Sequence, residues 1–293
     1  MQATQRYYVS DKFFLGIVLN LAFIAVELFY GFRANSVALI ADAVHNAGDV
    51  FGLALIWFSY YMAQREAPHK FTYGYKNGTI FAAFLNSIVL FIAVGNLIWI
   101  SIERFSETET VVSTTMMIVA AAGCIINGLT ALLFLKERKN DINMLGIVLN
   151  MSLDAALSLC VVVAGFFIWW KGWNWVDPLV GLLIAATVIY SFWGIFKESI
   201  NLIFQAVPAS INLHEIKKEL SSIPQIISYH DLHVWPLSTT ESALTVHVVT
   251  KIADFDPALI YVLSEKFRDH YGIHHATIQL EVEASNLPCR FNC

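Results

Sequence analysis

Six apolar runs, each about the length of a bilayer crossing, occupy positions 12–32, 36–62, 79–102, 112–135, 143–170 and 179–196 of this 293-residue chain. About 20 helical residues cross about 30 Å of hydrocarbon, and a segment that does so must satisfy every backbone N–H and C=O within itself. The runs therefore predict six transmembrane helices. With 57% hydrophobic and only 14% charged residues, the composition departs from that of a soluble globular protein in the same direction. The link before the second run is a few residues around Arg33, Asn35 and Ser36, so the first two helices are expected to form a tight hairpin. The first run lacks a small-residue cleavage site and reads as a retained helix rather than a signal peptide.

Basic residues near helix ends favour the cytoplasm. Arg65, Lys70 and Lys76 follow the second run, Lys136, Arg138 and Lys139 the fourth, and Lys197 the sixth, whereas the other side carries Arg33, Arg104, Lys171 and the acidic Glu107 and Glu109. Both termini are thus predicted to be cytosolic. The greasy part ends near Pro208, which sets domains at 1–208 and 209–293. In the second, helical spacing at 213–220 and 257–271 and strand-like runs at 226–235, 243–250 and 277–282 predict an α+β, ferredoxin-like domain. Cys124, Cys160, Cys289 and Cys293 have no disulfide-framework spacing. A net charge of −5 without a Lys/Arg block argues against a nucleic-acid partner.

Polar residues inside the apolar runs are costly, at about 2.5–3.5 kcal/mol for a charge at the bilayer centre, so each needs a partner or a purpose. The second helix carries Asp42, His45, Asn46 and Asp49, and the fifth carries Asn150 and Asp154. His45 and Asp49 are four apart, as are Asn150 and Asp154, so each pair projects from one helical face. Two such pairs on facing helices supply an imidazole, two carboxylates and an amide, the ligand number of a tetrahedral zinc site and a donor set suited to a first-row divalent cation. Asp42, one turn before His45, reads as a group that orients a ligand or caps a water path rather than as a ligand itself. Asn20, Asn86, Asn96 and Asn127 read as interhelical hydrogen-bonding residues, and Glu27 stays open.

The stretch from Ser36 through Asp42, His45 and Asp49, followed by Phe71-Thr-Tyr-Gly-Tyr75, Asp177-Pro-Leu and His230-Asp-Leu-His233-Val-Trp235, resembles the cation diffusion facilitator family of divalent-metal exporters, in order and over essentially the whole chain. The resemblance implies a homodimeric metal/proton antiporter with alternating access. The family's zinc branch places two His-x-x-x-Asp pairs in the membrane; His45 and Asp49 match the first, whereas the second has Asn150 in place of histidine before Asp154. That departure leaves manganese, iron, cobalt and cadmium open beside Zn2+ as the exported ion. A short loop, Lys136 to Asp141, stands where many eukaryotic relatives carry a His-rich one, which points to a bacterial inner membrane.

Strand alternation puts His230 on the face of Leu232 and Val234, and His233 on the opposite face with Asp231 and Trp235, so the two histidines are not expected to share a site. Gln279 and Glu281 share one face of the last strand, with Ile278, Leu280 and Val282 on the other. The family's cytosolic metal site carries over to His230, His247 and Glu281, with Cys289 and Cys293 as tail ligands for a regulatory Zn2+. His69, His270, His274 and His275 read as solvated. An intramembrane metalloenzyme would need a motif such as H-E-x-x-H, and ATP drive a G-x-x-x-x-G-K-[ST] loop; neither occurs. The expectation is a transporter rather than an enzyme, with a membrane metal sensor as the remaining alternative.

Overall fold

The computed structural model describes residues 11–106, 109–134, 142–251 and 256–282. Each apolar run holds one helix: α1 (Asp11–Ala34), α2 (Val37–Ala63), α3 (Gly78–Ser106), α4 (Ser113–Phe134), α5 (Ile142–Lys171) and α6 (Val176–Ile203). Within the described residues, α3, α6 and the segments Ser113–Leu132 and Val148–Lys171 are each long and apolar enough by themselves to cross a bilayer. The helix α6 runs past Phe196 to Ile203, because Lys197 and Glu198 end the apolar pattern but are good helix formers.

The α1–α2 link closes on Asn35, whose φ of 54° is left-handed, a conformation that Asn tolerates better than most residues. Packing between the helices relies on close approach rather than on hydrophobic exclusion, since lipid is as apolar as the side chains. Accordingly α2 presents Ala38 and Ala41, both buried, in a core that includes Leu39, Met116 and Ile184. Large apolar side chains at Ile92, Trp99, Ile118 and Tyr190 face outward, an arrangement that water would penalise and lipid does not.

By their contacts the residues form two compact units, 1–54 with 86–193, and 55–85 with 194–293. The second unit includes α7 (Leu213–Ser222), β1 (Ile226–Pro236), β2 (Ser242–Thr250), α8 (Ala258–Tyr271) and β3 (Ile273–Val282). Asn212 caps α7 by accepting from the His214 N–H at 3.1 Å. Gly272 ends α8 with φ 66°, its N–H donating back to the Arg268 carbonyl. The sheet order is β1-β2-β3, with β1 antiparallel and β3 parallel to β2. A ferredoxin-like split βαβ separates its parallel strands by another strand; here β2 and β3 pair directly, giving three strands. Val234, Leu244, Val246, Val248 and Ile278 cover Ile216, Leu220, Leu263 and Phe267 of the two helices. The strand β3 begins at Ile273, earlier than the alternation from 277 indicated, because Ile273 is itself buried while His274 and His275 are exposed.

The α2–α3 loop belongs to this same unit. Lys76 Nζ pairs with Glu241 Oε2 at 2.5 Å, the Thr239 N–H donates to Thr79 Oγ1 at 3.1 Å, and the Tyr73 ring meets His275 edge-on at 6.0 Å.

Candidate metal centres

The first centre lies between α2 and α5. The helical i, i+4 spacing brings His45 and Asp49 to one face of α2, and Asn150 and Asp154 to the facing side of α5. One ligand atom each from His45, Asp49 and Asp154 lie within 4.8 Å of one another. His45 Nε2 meets Asp154 Oδ1 at 3.1 Å, both side chains buried. Asn150 Nδ2 donates to Asp49 Oδ2 at 3.0 Å and to Asp154 Oδ2 at 3.3 Å. Ligands about 2.0–2.1 Å from a tetrahedral zinc stand about 3.3 Å apart, so the donor set fits such an ion with small adjustment. The Asn150 amide turns its Nδ2 toward both carboxylates; to ligate a cation, it must rotate and present Oδ1.

Around the quartet, the buried Asp42 accepts from Ser158 Oγ at 2.7 Å, so its hydrogen bond anchors α5 rather than orienting His45. Asn46 Nδ2 donates to Glu27 Oε2 of α1 at 3.2 Å. Among the described residues, no lysine or arginine pairs with Glu27, Asp42, Asp49 or Asp154. The structure departs from the interhelical reading of the other amides: Asn96 faces outward, while Asn86 Oδ1 and Asn127 Nδ2 are buried without a hydrogen-bond partner.

The second centre is on the outer face of the C-terminal sheet. His230 stands opposite His247 across the β1–β2 pair, their rings 5.0 Å apart. His247 Nδ1 lies 2.8 Å from Glu281 Oε1, and His230 Nε2 lies 3.6 Å from Glu281 Oε2. Ligand atoms of the three lie within 4.8 Å of one another, a separation that fits one cation with imidazole and carboxylate donors. Gln279 and Glu281 share this face as the alternation indicates, with Gln279 Nε2 donating to Glu281 Oε1 at 3.0 Å.

His233 overturns its sequence reading. The register passes from His230↔His247 to His233↔Thr245, so β1 spends three residues where β2 spends two. This is a β-bulge, with Asp231 at φ 53°, and the extra residue inverts the parity of everything after it. His230 and His233 therefore share the outer face. Asp231 joins them, lying 2.9 Å from His233 Nε2 through Oδ1 and 3.7 Å from His247 Nε2 through Oδ2. The only sequence signal for such a bulge is an Asp inside a strand, a residue depleted there. Cys289 and Cys293 lie outside the described residues. His69, His270, His274 and His275 are all exposed.

The family model for the cation efflux transmembrane domain matches residues 13–204, and that for the cation efflux protein cytoplasmic domain matches residues 208–283. The chain belongs to the cation efflux family. As a cation efflux protein it is a transporter rather than an enzyme. It is 30% identical over 276 residues to the cadmium, cobalt and zinc/H(+)-K(+) antiporter of Bacillus subtilis, covering 93% of this chain and 89% of that one. It is 31% identical to the zinc transporter ZitB of Escherichia coli, covering 92% and 87% respectively. The metal-bound C-terminal domain of the CzcD transporter from Cuprividus metallidurans is 37% identical over 24% of this chain and 99% of that one, with a TM-score of 0.23.

Proposed function

We propose that this cation efflux protein exports Zn2+ from the cytosol in exchange for protons, binding the ion at His45, Asp49, Asn150 and Asp154. The observation that carries the reading is the 3.1 Å approach of His45 Nε2 to Asp154 Oδ1 between α2 and α5, both side chains buried. A hydrogen bond there places a proton between two metal-ligating atoms. Zinc requires the imidazole nitrogen and both carboxylates free of protons, so ion and proton compete for one place. Binding on the cytosolic side then releases protons, and reprotonation on the far side expels the ion.

The same reading takes the protein as a homodimer in a bacterial inner membrane, with both termini cytosolic and domains at 1–208 and 209–293. The named activities of the Bacillus subtilis and Escherichia coli relatives support a divalent transition metal as the exported ion. His230, His247 and Glu281, with the tail thiols of Cys289 and Cys293, bind a regulatory Zn2+. One feature favours a second ion: with Asn at position 150, the ligand available after the amide rotates is an oxygen where an imidazole would give nitrogen, a harder donor that narrows the advantage of zinc over manganese.

Reconstituted vesicles test this directly. With an imposed proton gradient, zinc should accumulate inside vesicles carrying protein with the cytosolic face outward, with acidification of the outer medium. Accumulation of manganese in preference to zinc would establish the second ion. Binding without accumulation of any divalent ion would establish a sensor instead.

A further inference from the structure

Glu27 is a carboxylate that the quartet does not use. It sits in the C-terminal half of α1 with no exposed surface, accepts one hydrogen bond, from Asn46, and leaves Oε1 without a partner. Oε1 points at α4: a Cβ placed on Gly123 would come within 3.3 Å of it. One turn along the same α4 face is Asn127, also buried, whose Nδ2 likewise has no hydrogen-bond partner. On α2, Asp42 is one turn from Asn46 on the same face and keeps Oδ1 unpartnered.

The charged groups acting on Glu27 are Asp42 from α2 and Asp154 from α5; α4 carries no charged residue. Two buried acids, Glu27 and Asp42, thus lie beside the quartet with no lysine or arginine paired to either among the described residues. A buried carboxylate in such surroundings needs a cation or a proton. A hard metal cation takes about six oxygens, whereas only Glu27 Oε1 and Asp42 Oδ1 stand free here. A proton fits, because the protonated acid is neutral and needs no cation beside it, and Asn46 already donates to its other oxygen.

We propose that Glu27 is a proton-binding site separate from the metal ligands, and that its proton is one of those exchanged for the exported ion. This rests on the antiport reading above. Without metal, the proton resides on Glu27. When a dication binds at the quartet, its positive charge repels that proton, which leaves for bulk water, and the ionised Glu27 carboxylate keeps its hydrogen bond from Asn46. No bond to the metal forms at Glu27.

The test is the number of protons released per zinc bound, followed with a pH indicator in weakly buffered detergent solution of the full chain. Glu27→Gln keeps the shape and the acceptor for Asn46 but cannot titrate. At a pH where the wild type gives up that proton, it should release about one proton fewer per ion and bind zinc at least about tenfold more weakly, because the linked ionisation is lost. Wild-type proton release from a zinc-binding E27Q protein would overturn the proposal and leave the antiport reading intact. Absence of proton release from the wild type would overturn both. Should E27Q not fold, Glu27→Asp carries the test: the shorter acid still titrates but is drawn away from Asn46, so the pH dependence of the release must shift. An unmoved profile would make Glu27 a structural partner of Asn46 alone.

Discussion

Asp177, in the first turn of α6, accepts a 2.5 Å hydrogen bond from the hydroxyl of Ser36, which immediately precedes α2. The same carboxylate accepts from the backbone N–H of Val37 at 2.7 Å and of Ala38 at 3.2 Å, so α6 caps the N-terminus of α2. The first N–H groups of a helix lack intrahelical partners, and a carboxylate there both satisfies them and complements the helix dipole. Because α2 carries His45 and Asp49, this cap sets the height at which they meet α5. Asp177→Ala should cost about 1–3 kcal/mol, the penalty of leaving buried donors unmet. Thermal unfolding in detergent should show a lowered midpoint, with Asp177→Asn falling less because its amide oxygen still accepts. A wild-type midpoint for D177A would make the cap dispensable.

Asp49→Ala and Asp154→Ala should each reduce metal transport to the vesicle background while the protein still inserts and purifies. Each removes a carboxylate, Asp154 buried and Asp49 half-buried, whose placement is otherwise a cost to the helix bundle. Asp154 sits against both His45 and Asn150, so its loss should also weaken zinc binding by at least about tenfold, as expected when a ligand is removed. Titration of zinc into the purified variants measures this; unchanged affinity in D154A would place the ion elsewhere.

Asn150→His restores a titratable donor at the one position where the quartet differs from two His-x-x-x-Asp pairs. Asn150 already reaches Asp49 and Asp154 at 3.0 and 3.3 Å, so an imidazole there has an ion within reach. Zinc affinity should rise by about tenfold, roughly 1.4 kcal/mol. Transport should also depend more steeply on pH, since an amide exchanges no proton near neutrality and an imidazole does. An active variant with unchanged affinity and pH profile would show that Asn150 holds the carboxylates without touching the ion.

In the C-terminal domain, His247 lies opposite His230 and within reach of both Glu281 and Asp231, whereas His233 reaches only Asp231 among the ion pairs described. His247→Ala should therefore lower C-terminal zinc affinity by about 10–100-fold, with a smaller but measurable loss for His233→Ala. Calorimetry on the full chain carrying Asp49→Ala, which removes a transport-site ligand, separates the two centres. Equal losses for both variants would make His233 a full ligand; no loss for H233A would leave it as a partner of Asp231 only.

The sequence by itself determined the six helices and the pairing of His45 with Asp49 and of Asn150 with Asp154, because both follow from local rules. A bilayer demands about 20 apolar residues per crossing, and an i, i+4 interval lies on one face of any α-helix wherever the helix goes. The order helix, strand, strand, helix, strand in the tail was legible for the same reason. What only the tertiary structure decided depends on contacts distant in sequence or on a single dihedral angle. Asp177 finds Ser36 across 141 positions, and Glu27 meets Asn46 only because α1 and α2 pack there. The direction of the Asn150 amide is set by two carboxylates on different helices. At Asp231, one residue with positive φ adds a step to β1 and carries His233 to the face that strict alternation denied it. A period of two residues propagates a one-residue insertion to every side chain beyond it, so the fate of His233 rested on a backbone angle that no spacing in the sequence encodes.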